Sequence, residues 1–284
     1  GKRIHFMGIG GAGMSGLARI ALSHGITVSG SDAKDSSVVT ALSALGATVS
    51  TSHSAENVDG ADLVVYSNAI SQSNPERVRA QELALPILTR AAALAILMSE
   101  SKSVAVAGTH GKTTTSSMLA VALQACAADP SFAIGGTITA SGSNAHRGTG
   151  EIFVAEADES DGSFIEYHPF GAIVTNIEHD HVDFFETPEA VAQAFRDFAA
   201  TIKPGGFLTY CADDAGAVAL SKNVESIELI SYGINESADL HIDQIELLTM
   251  GSRARAIWKG RSVGHIELQV PGHHNLLNAA GVLA

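Results

Sequence analysis

Short apolar segments alternate with amphipathic ones along most of the chain. Apolar runs such as Ile4–Met7, Leu63–Ser67 and Ser103–Ala107 have the length of buried strands. Each is followed by a stretch in which apolar residues recur every three or four positions. Strands that alternate with helices in this way form parallel sheets with helices on their faces. The pattern therefore predicts an α/β fold.

The alternation divides into two series. Residues 1–100 predict a Rossmann-like, doubly wound domain, and residues 101–284 predict a second α/β domain of the P-loop ATPase type. Within the second series, the glycine-rich stretch Gly135–Gly150 predicts a mobile loop over a site. A chain of 284 residues is long enough for both domains.

Composition narrows the class of protein. The chain has 45% apolar and 17% charged residues and a formal charge of −13, which is typical of a globular protein and argues against a nucleic-acid partner. Two cysteines cannot form a disulfide framework, no apolar run has the length of a membrane span, and no signal peptide precedes the first strand. We therefore expect a reduced, cytoplasmic protein without a membrane partner.

The clearest candidate site follows the strand at Ser103–Ala107. The segment reads, in order, Gly108, Thr109, His110, Gly111, Lys112, Thr113 and Thr114, where a helical pattern begins. In such loops glycines let backbone N–H groups close around phosphates, the lysine reaches the β and γ phosphates, and the hydroxyl ligates Mg²⁺. The usual loop has an earlier glycine, whose place Val106 holds here. The loop alone therefore fits either chance or a particular ATPase family.

A second glycine turn lies near the N-terminus. Gly8, Gly10 and Gly13 fit the spacing G-x-G-x-x-G between a strand and a helix, and Asp32 ends the next strand. In a dinucleotide fold the turn holds a diphosphate and the acid holds a ribose hydroxyl, so the first interpretation is NAD binding. The segment Ser67–Ile70 follows another strand, where open α/β sheets bind ligands, although an ordinary loop with an asparagine cap fits it too.

Acidic residues end a buried strand downstream of the phosphate loop. Glu156 and Asp161 bound a run of four carboxylates in six residues, which is unfavourable unless a positive charge lies there. A strand that ends in acids beside a phosphate loop is the arrangement that holds Mg²⁺ next to ATP. Glu156, which is still on the strand, is the preferred ligand.

Histidines and an acid follow the strand Ala172–Thr175. The order His179-x-His181-x-Asp183 resembles the zinc motif of metallo-β-lactamase-like hydrolases, but Phe184 stands where the last histidine would be. The other interpretation is a cluster that supports a nucleotide-bound Mg²⁺ or Mn²⁺.

A predicted helix near the end of the sequence carries two amides on one face. These are Asn275 and Asn278, with His274 at the start of the helix. Amides in this arrangement can read the polar edge of a base, and a helix cap with a buried amide is the alternative.

Taken in order, these motifs resemble the Mur ligases, the ATP-dependent amide-forming enzymes of peptidoglycan synthesis. The resemblance covers essentially the whole chain. It is carried by Gly-Thr-His-Gly-Lys-Thr, Glu-Ala-Asp-Glu-Ser-Asp, Asn-Ile-Glu-His-Asp-His-Val-Asp and Pro-Gly-x-His-Asn-x-x-Asn. The family also uses the shortened phosphate loop. The N-terminal glycine turn is most similar to that of the member that joins L-alanine to UDP-N-acetylmuramate.

The resemblance implies a role for each matching residue. Lys112 and its loop would hold the β and γ phosphates of ATP, and Asn176 would be a further catalytic residue. Thr113 and Glu156 would ligate Mg²⁺, with His181 at a second metal. Adenine would lie against His274, Asn275 and Asn278. UDP-N-acetylmuramate would lie against Gly10, Gly11, Ala12, Gly13, Met14, Ser15, Asp32, Ser67, Asn68, Ala69 and Ile70.

The implied reaction transfers a phosphoryl group from ATP to the lactyl carboxylate, and the amine of L-alanine then attacks the acyl phosphate. Several sister ligases use a carbamylated lysine. No lysine lies between His181 and Lys203, so we predict no carbamate here. The family's third, C-terminal domain helps to bind the amino acid and lies outside these 284 residues. We therefore expect the chain by itself to be an inactive fragment, or nearly so.

Three other functions fit parts of the sequence. An NAD-dependent oxidoreductase accounts for the first domain alone, and binding of NAD without binding of a UDP-sugar would favour it. A nucleotide-binding switch without catalysis is consistent with a truncated site. A metal-dependent hydrolase accounts only for the segment His179–Asp183.

Overall fold

The computed structural model describes residues 1–139, 141–180 and 184–284, which form two compact units. The first unit contains Gly1–Leu97 and Ser131–Thr149, and the second contains Met98–Pro130 and Gly150–Ala284. The predicted boundary at residue 100 lies close to the first of these breaks. We did not predict that residues 131–149, which follow the first segment of the second unit in sequence, belong to the first unit.

The first unit is built on a parallel sheet with the strand order β3-β2-β1-β4-β5. Its strands are β1 (Arg3–Met7), β2 (Thr27–Ser31), β3 (Thr48–Ser50), β4 (Leu63–Tyr66) and β5 (Ile87–Thr89). Its helices are α1 (Ala12–Ser23), α2 (Ser37–Ala44), α3 (Pro75–Glu82) and α4 (Arg90–Ser99), with a 3₁₀ turn at Ala55–Val58. This order is that of a doubly wound sheet, as predicted, and its switch point lies between β1 and β4.

Local sequence signals account for the starts of α2 and α3. Ser36 precedes α2, and its hydroxyl accepts a hydrogen bond from Val39 N at 3.3 Å. Asn74 precedes α3, and its Oδ1 accepts from Glu76 N at 2.9 Å, with Pro75 at the first helical position. These contacts satisfy backbone amides that the first helical turn leaves without a partner.

The glycine-rich stretch that predicted a mobile loop forms a hairpin. Its antiparallel strands are β7 (Ser131–Ile138) and β8 (Ser143–His146). The hairpin packs on α1, where Asn144 Nδ2 donates to Ala12 O at 2.7 Å. A Cβ on Gly16 of α1 would lie 3.3 Å from the Ala145 side chain, so the small residue permits the close approach. The loop prediction was wrong because this contact joins residues far apart in sequence.

The second unit has parallel strands at its centre and antiparallel strands at one end. In spatial order its strands run β15-β14-β13-β12-β11-β10-β6-β9. They are β6 (Lys102–Ala107), β9 (Ile152–Glu156), β10 (Gly171–Val174), β11 (Phe207–Cys211), β12 (Glu228–Gly233), β13 (Leu240–Leu248), β14 (Gly251–Trp258) and β15 (Arg261–Leu268). The helices are α5 (Lys112–Ala125), α6 (Pro188–Ala200), α7 (Ala215–Ser221) and α8 (His273–Leu283), with a 3₁₀ turn at Ser163–Glu166.

Apolar periodicity places α6 against the core of the second unit. Val191, Phe195 and Phe198 are spaced along one face of the helix and are all buried. The Phe198 ring stacks on Phe164 with centroids 4.9 Å apart, and Phe195 meets Phe164 edge-on at 5.4 Å. Within the described residues, no helix combines the length and apolar character needed to cross a membrane.

The first unit buries one carboxylate completely. Glu76, in the first turn of α3, is 0% exposed and accepts hydrogen bonds from Ser31 Oγ at 2.6 Å, Asn57 Nδ2 at 2.6 Å and His53 Nδ1 at 2.9 Å. His5 Nε2 lies 3.6 Å away. Burial by itself would raise the pKa of the Glu76 carboxyl. The hydrogen bonds outweigh it and lower the pKa from 4.5 to about 2.

We predict that Glu76→Gln weakens the acid sensitivity of the fold. The folded-state pKa of about 2 lies below the ordinary value of 4.5, so the ionised carboxylate stabilises the folded state above pH 4.5. This contribution, about 3 kcal/mol, is lost as the pH falls through the folded-state pKa. Urea unfolding measured between about pH 3 and pH 6 should show a smaller pH slope in the variant than in the wild type.

Glu82→Gln, on the exposed end of the same helix, is the control, because its carboxylate is 60% exposed. It should keep the wild-type slope. An equal slope in all three proteins would show that Glu76 does not carry this stability.

Candidate functional site

The phosphate-type loop of the second unit joins β6 to α5 through two glycines with positive φ. Gly108 has φ +137° and Gly111 has φ +84°. A Cβ on Gly108 would lie 2.0 Å from Thr175 Oγ1, and one on Gly111 would lie 2.8 Å from Asn278 Oδ1. Both conformation and space therefore require glycine at these positions.

The end of β10 holds the first half of this loop. Thr109 N donates to Asn176 O at 3.0 Å and His110 N donates to Asn176 Oδ1 at 2.8 Å. Asn176 Nδ2 and Thr175 Oγ1 both donate to His110 O, at 2.9 and 2.6 Å. Asn176, predicted as a catalytic residue, thus contacts the loop backbone through both ends of its amide.

The second half of the loop is open to an anion. Thr115 N donates to Gly111 O at 2.9 Å, which begins the hydrogen-bonding pattern of α5. The amides of Gly111, Lys112, Thr113 and Thr114 precede that bond, and helix geometry gives them no acceptor within the helix. Together with the positive end of the helix dipole, this arrangement favours binding of an anion such as a phosphate oxygen.

Thr113 and Glu156 meet at the start of α5. The Thr113 hydroxyl donates to Glu156 Oε1 at 2.9 Å, although β9 lies far along the chain from the loop. A hydroxyl and a carboxylate are hard oxygen ligands of the kind that Mg²⁺ prefers, with phosphate oxygens and water filling the remaining positions. This donor set fits the predicted Mg²⁺ role of both residues.

Lys112 pairs with a carboxylate that the sequence did not single out. Lys112 Nζ lies 2.7 Å from Glu159 Oε2 and 3.0 Å from Oε1. Glu159 is 1% exposed. Burial raises the pKa of its carboxyl above the ordinary range, and the hydrogen bonds and charge of Lys112 act in the opposite direction. The sequence places four acidic residues within 156–161, and it gives no signal for which of their side chains is buried.

Asn275 and Asn278 of α8, which were both predicted to contact adenine, lie in different environments. Asn278 is buried beside Gly111 of the loop, whereas Asn275 Nδ2 donates to Pro271 O at 2.8 Å. The His274 ring folds back over Gly272, where a Cβ would lie 2.7 Å from it. Asn278 therefore lies against the loop, and the predicted contact of all three side chains with adenine stays a prediction.

The predicted second metal ligand, His181, lies outside the described residues, as does Asp183. His179 is described, and its Nε2 lies 3.0 Å from Phe185 O. Among the described residues, no group of three or more His, Cys, Asp or Glu side chains is arranged to hold a metal ion.

The glycine turn of the first unit is fixed by the end of β2. Gly8 N and Ile9 N donate to Ser31 O at 2.8 and 3.0 Å, and Gly10 N donates to Asp32 Oδ2 at 2.9 Å. The other oxygen of Asp32 accepts from Lys34 N at 3.0 Å. The Asp32 carboxylate, which was expected near a ribose, thus forms hydrogen bonds to the backbone of the turn region.

Three amides at the start of α1 remain for a ligand. Gly11 N donates to Gly8 O and Ser15 N donates to Gly11 O, so Ala12, Gly13 and Met14 precede the first bond within the helix. Met14 and Ser15 are each only 2% exposed, whereas Ala12 is exposed and Gly13 is partly exposed, so the accessible part of this helix start is Ala12 and Gly13.

The segment Ser67–Ile70 lies beside this turn, as its place after β4 predicted. A Cβ on Gly8 would lie 3.3 Å from Ser67 Cβ and 3.8 Å from the Ile70 side chain. Ile70 N donates to Ser67 O at 2.9 Å, and Arg77 donates to Ile70 O at 3.3 Å. A tight turn thus brings this group of predicted residues against the glycine turn, with Asn68 and Ala69 between its ends.

Arg90, at the start of α4, crosses the same turn and was missed by the sequence analysis. A Cβ on Gly13 would lie 2.9 Å from Arg90 Cδ and 3.2 Å from one of its guanidinium nitrogens. Among the described residues, this guanidinium has no carboxylate within ion-pair distance. No sequence motif joins Arg90 to Gly13, because the contact depends on the packing of two distant helices.

Two family models match the chain. The model described as "Mur ligase family, catalytic domain" matches residues 3–102, and the "Mur ligase middle domain" matches residues 106–284. The chain belongs to the Mur ligase family. Mur ligase structures also share its fold. One is UDP-N-acetylmuramate-alanine ligase from Thermotoga maritima, at TM-score 0.86 and 31% identity, with 100% of this chain and 64% of that chain covered.

Curated members of the Mur ligase family match almost the whole chain. The UDP-N-acetylmuramate–L-alanine ligase of Renibacterium salmoninarum is 50% identical over 99% of this chain and 61% of its own length. That of Acidothermus cellulolyticus is 48% identical over 99% of this chain and 60% of its own length. The chain thus spans about three fifths of the length of these relatives.

Another Mur ligase structure is named for a different substrate. It is the UDP-N-acetylmuramate:L-alanyl-gamma-D-glutamyl-meso-diaminopimelate ligase from Neisseria meningitides. Its TM-score is 0.90 at 29% identity, with 99% of this chain and 92% of that chain covered.

We predict that Asn176→Ala destabilises the second unit. The substitution removes the two side-chain hydrogen bonds to the backbone of His110, and we expect a loss of about 1–2 kcal/mol in the free energy of unfolding. Asn223→Ala is the matched control, because it removes one bond from an exposed amide to Ala219 O at the end of α7. Urea unfolding of the three proteins measures the difference. A smaller loss in Asn176→Ala than in Asn223→Ala would contradict the role of Asn176 in holding the loop.

Proposed function

We propose that this chain provides the UDP-sugar-binding and ATP-binding units of a ligase that joins L-alanine to UDP-N-acetylmuramate. The observation that carries the proposal is the loop of the second unit, where Lys112 lies beside free helix-start amides and the Thr113–Glu156 pair. Membership of the Mur ligase family supports the same reaction class.

The choice of L-alanine as substrate rests on relatives. The two curated ligases named for L-alanine are 48–50% identical to the chain, whereas the Neisseria structure named for a tripeptide is 29% identical. Both names include UDP-N-acetylmuramate, so the nucleotide-sugar is common to the two alternatives. We favour L-alanine on the higher identity, and a ligase acting on the tripeptide is the second candidate.

In the proposed reaction, the lactyl carboxylate attacks the γ-phosphorus of ATP and ADP leaves. The amine of L-alanine then attacks the acyl carbon, and phosphate leaves as the amide forms. Lys112 and the amides of Gly111–Thr114 bind phosphate oxygens and offset the charge that develops on the transferring group. Thr113 and Glu156 would hold Mg²⁺, which supplies further positive charge beside those oxygens.

The first unit would bind UDP-N-acetylmuramate through its diphosphate. The amides of Ala12, Gly13 and Met14 lie at the positive end of α1, and the Arg90 guanidinium lies across Gly13. An arginine can donate two parallel hydrogen bonds to phosphate oxygens. Membership of the Mur ligase family argues against the NAD alternative. Asp32 does not decide between the two, because each of its oxygens accepts one backbone amide and can accept a further hydrogen bond.

A panel of thermal shifts tests the proposed function. ATP with Mg²⁺ and UDP-N-acetylmuramate should each raise the unfolding temperature, whereas NAD should not. A ligand at about 100 times its Kd stabilises the folded state by about 2.7 kcal/mol. Stabilisation by NAD without stabilisation by the UDP-sugar would favour an oxidoreductase and reject the proposal.

We predict that Lys112→Ala selectively weakens ATP binding. Loss of the ammonium removes charge-assisted hydrogen bonds to phosphate, so the Kd for ATP should rise about tenfold or more while the Kd for the UDP-sugar is unchanged. Lys222→Ala removes an exposed lysine of the same unit and should leave both constants at their wild-type values. Isothermal titration measures both. Equal ATP affinity in wild type and Lys112→Ala would refute the assigned role.

We predict that Arg90→Ala weakens binding of ligands that carry the diphosphate. The Kd for UDP-N-acetylmuramate and for UDP should rise about tenfold, whereas the Kd for uridine should not change. Arg79→Ala is the matched control in the same unit, because that guanidinium pairs with Asp59 at 3.2 Å. The assignment fails if uridine is affected as strongly as UDP, or if Arg79→Ala has the same effect.

A further inference from the structure

The ammonium group of Lys112 is fully engaged by the protein itself. Lys112 Nζ lies 2.7 and 3.0 Å from the two carboxylate oxygens of Glu159, 2.8 Å from Gly108 O and 3.3 Å from Thr109 O. An ammonium group donates three hydrogen bonds. A phosphate oxygen can therefore bind Lys112 only if it replaces one of these acceptors.

Glu159 is held where it cannot turn away into water. Its side chain is 2% exposed, against 12% for Lys112. The chain turns directly after it, with Gly162 N donating to Glu159 O at 2.8 Å. A buried carboxylate that loses its partner is strongly unfavourable, because the charge stays out of water without compensation. Separation of this pair therefore has a cost that exposed ion pairs lack.

The neighbouring acid differs in this respect. Asp158 Oδ1 lies 3.9 Å from Lys112 Nζ, and the Asp158 side chain is 45% exposed. Water can solvate that carboxylate, and its distance from the ammonium is longer than a hydrogen bond. The chain thus offers two adjacent carboxylates of the same charge, of which only Glu159 makes a direct buried contact with Lys112.

We infer that Glu159 competes with the terminal phosphates of the nucleotide for Lys112, so that this pair limits the affinity of the loop. The inference rests on the proposed function, in which the loop binds ATP. In this inference the acceptor that bound nucleotide replaces is a carboxylate oxygen of Glu159, rather than Gly108 O or Thr109 O. Removal of the negative charge at Glu159 then strengthens nucleotide binding rather than weakening it.

Glu159→Gln and the matched Asp158→Asn test this inference by isothermal titration with ATP–Mg²⁺ and with adenosine. We expect Glu159→Gln to bind ATP about fivefold or more tightly than the wild type, and to bind adenosine equally, since adenosine has no phosphate. Asp158→Asn should change ATP affinity by less than about twofold. Equal gains in the two variants indicate a general charge effect and overturn the inference. Unchanged or weaker ATP binding in Glu159→Gln also overturns it, since Glu159 then positions Lys112.

The wild-type chain supplies a test that does not depend on folding of a variant. The side-chain ¹⁵N resonance of Lys112, assigned by its loss in Lys112→Ala, should shift when ATP–Mg²⁺ is added and stay unchanged with adenosine. An unchanged resonance in the presence of bound ATP overturns the inference. If the wild-type chain binds no ATP at all, the proposed function fails, whereas ATP binding without an effect of Glu159 leaves that function intact.

Discussion

Both candidate sites depend on the close approach of a glycine turn to the end of a neighbouring strand. In the second unit a Cβ on Gly108 would overlap Thr175, and in the first unit a Cβ on Gly10 would lie 2.9 Å from Asp32 Oδ2. This approach lets the strand end accept the first amides of the turn. The amides that remain are those of the first helical turn, where the helix dipole favours an anion. The same backbone arrangement therefore fixes the conformation of the turn and leaves the amides of the first helical turn available to an anion.

Each unit also places a buried glutamate beside its turn, but the two carboxylates act differently. Glu76 accepts the Ser31 hydroxyl, and the Ser31 carbonyl accepts Gly8 N and Ile9 N, so its charge supports the turn through hydrogen bonds alone. Its neighbours lower its pKa to about 2. Glu159 contacts the Lys112 ammonium directly, and burial is the largest influence on the pKa of its carboxyl, which is raised. Glu76 thus stabilises the conformation of the glycine turn. Glu159 instead pairs with the lysine that we propose binds phosphate.

The parts of the fold that sequence predicted are those set by local physics. The strand–turn–helix units follow from apolar spacing, from glycine at positive φ and from caps such as Ser36 and Asn74. Glu156 and Thr113, which were expected to ligate the same Mg²⁺, are joined by a hydrogen bond. Sequence failed where contacts join distant segments. The hairpin at 131–146 packs on α1, and neither the inward turn of Glu159 nor the path of Arg90 over Gly13 has a local signal.

The negative net charge of the chain makes its few local positive groups decisive for binding an anion. A protein with a formal charge of −13 repels polyphosphates at long range, so binding must come from short-range positive potential. In the second unit that potential comes from Lys112 and the start of α5, and Glu159 neutralises much of the lysine charge before a ligand arrives. The helix-start amides then carry most of the attraction, and a divalent ion bound by Thr113 and Glu156 would reduce the remaining repulsion. If the loop binds a nucleotide as we propose, a metal–nucleotide complex should bind better than the free nucleotide, because the metal supplies positive charge that Glu159 neutralises on Lys112.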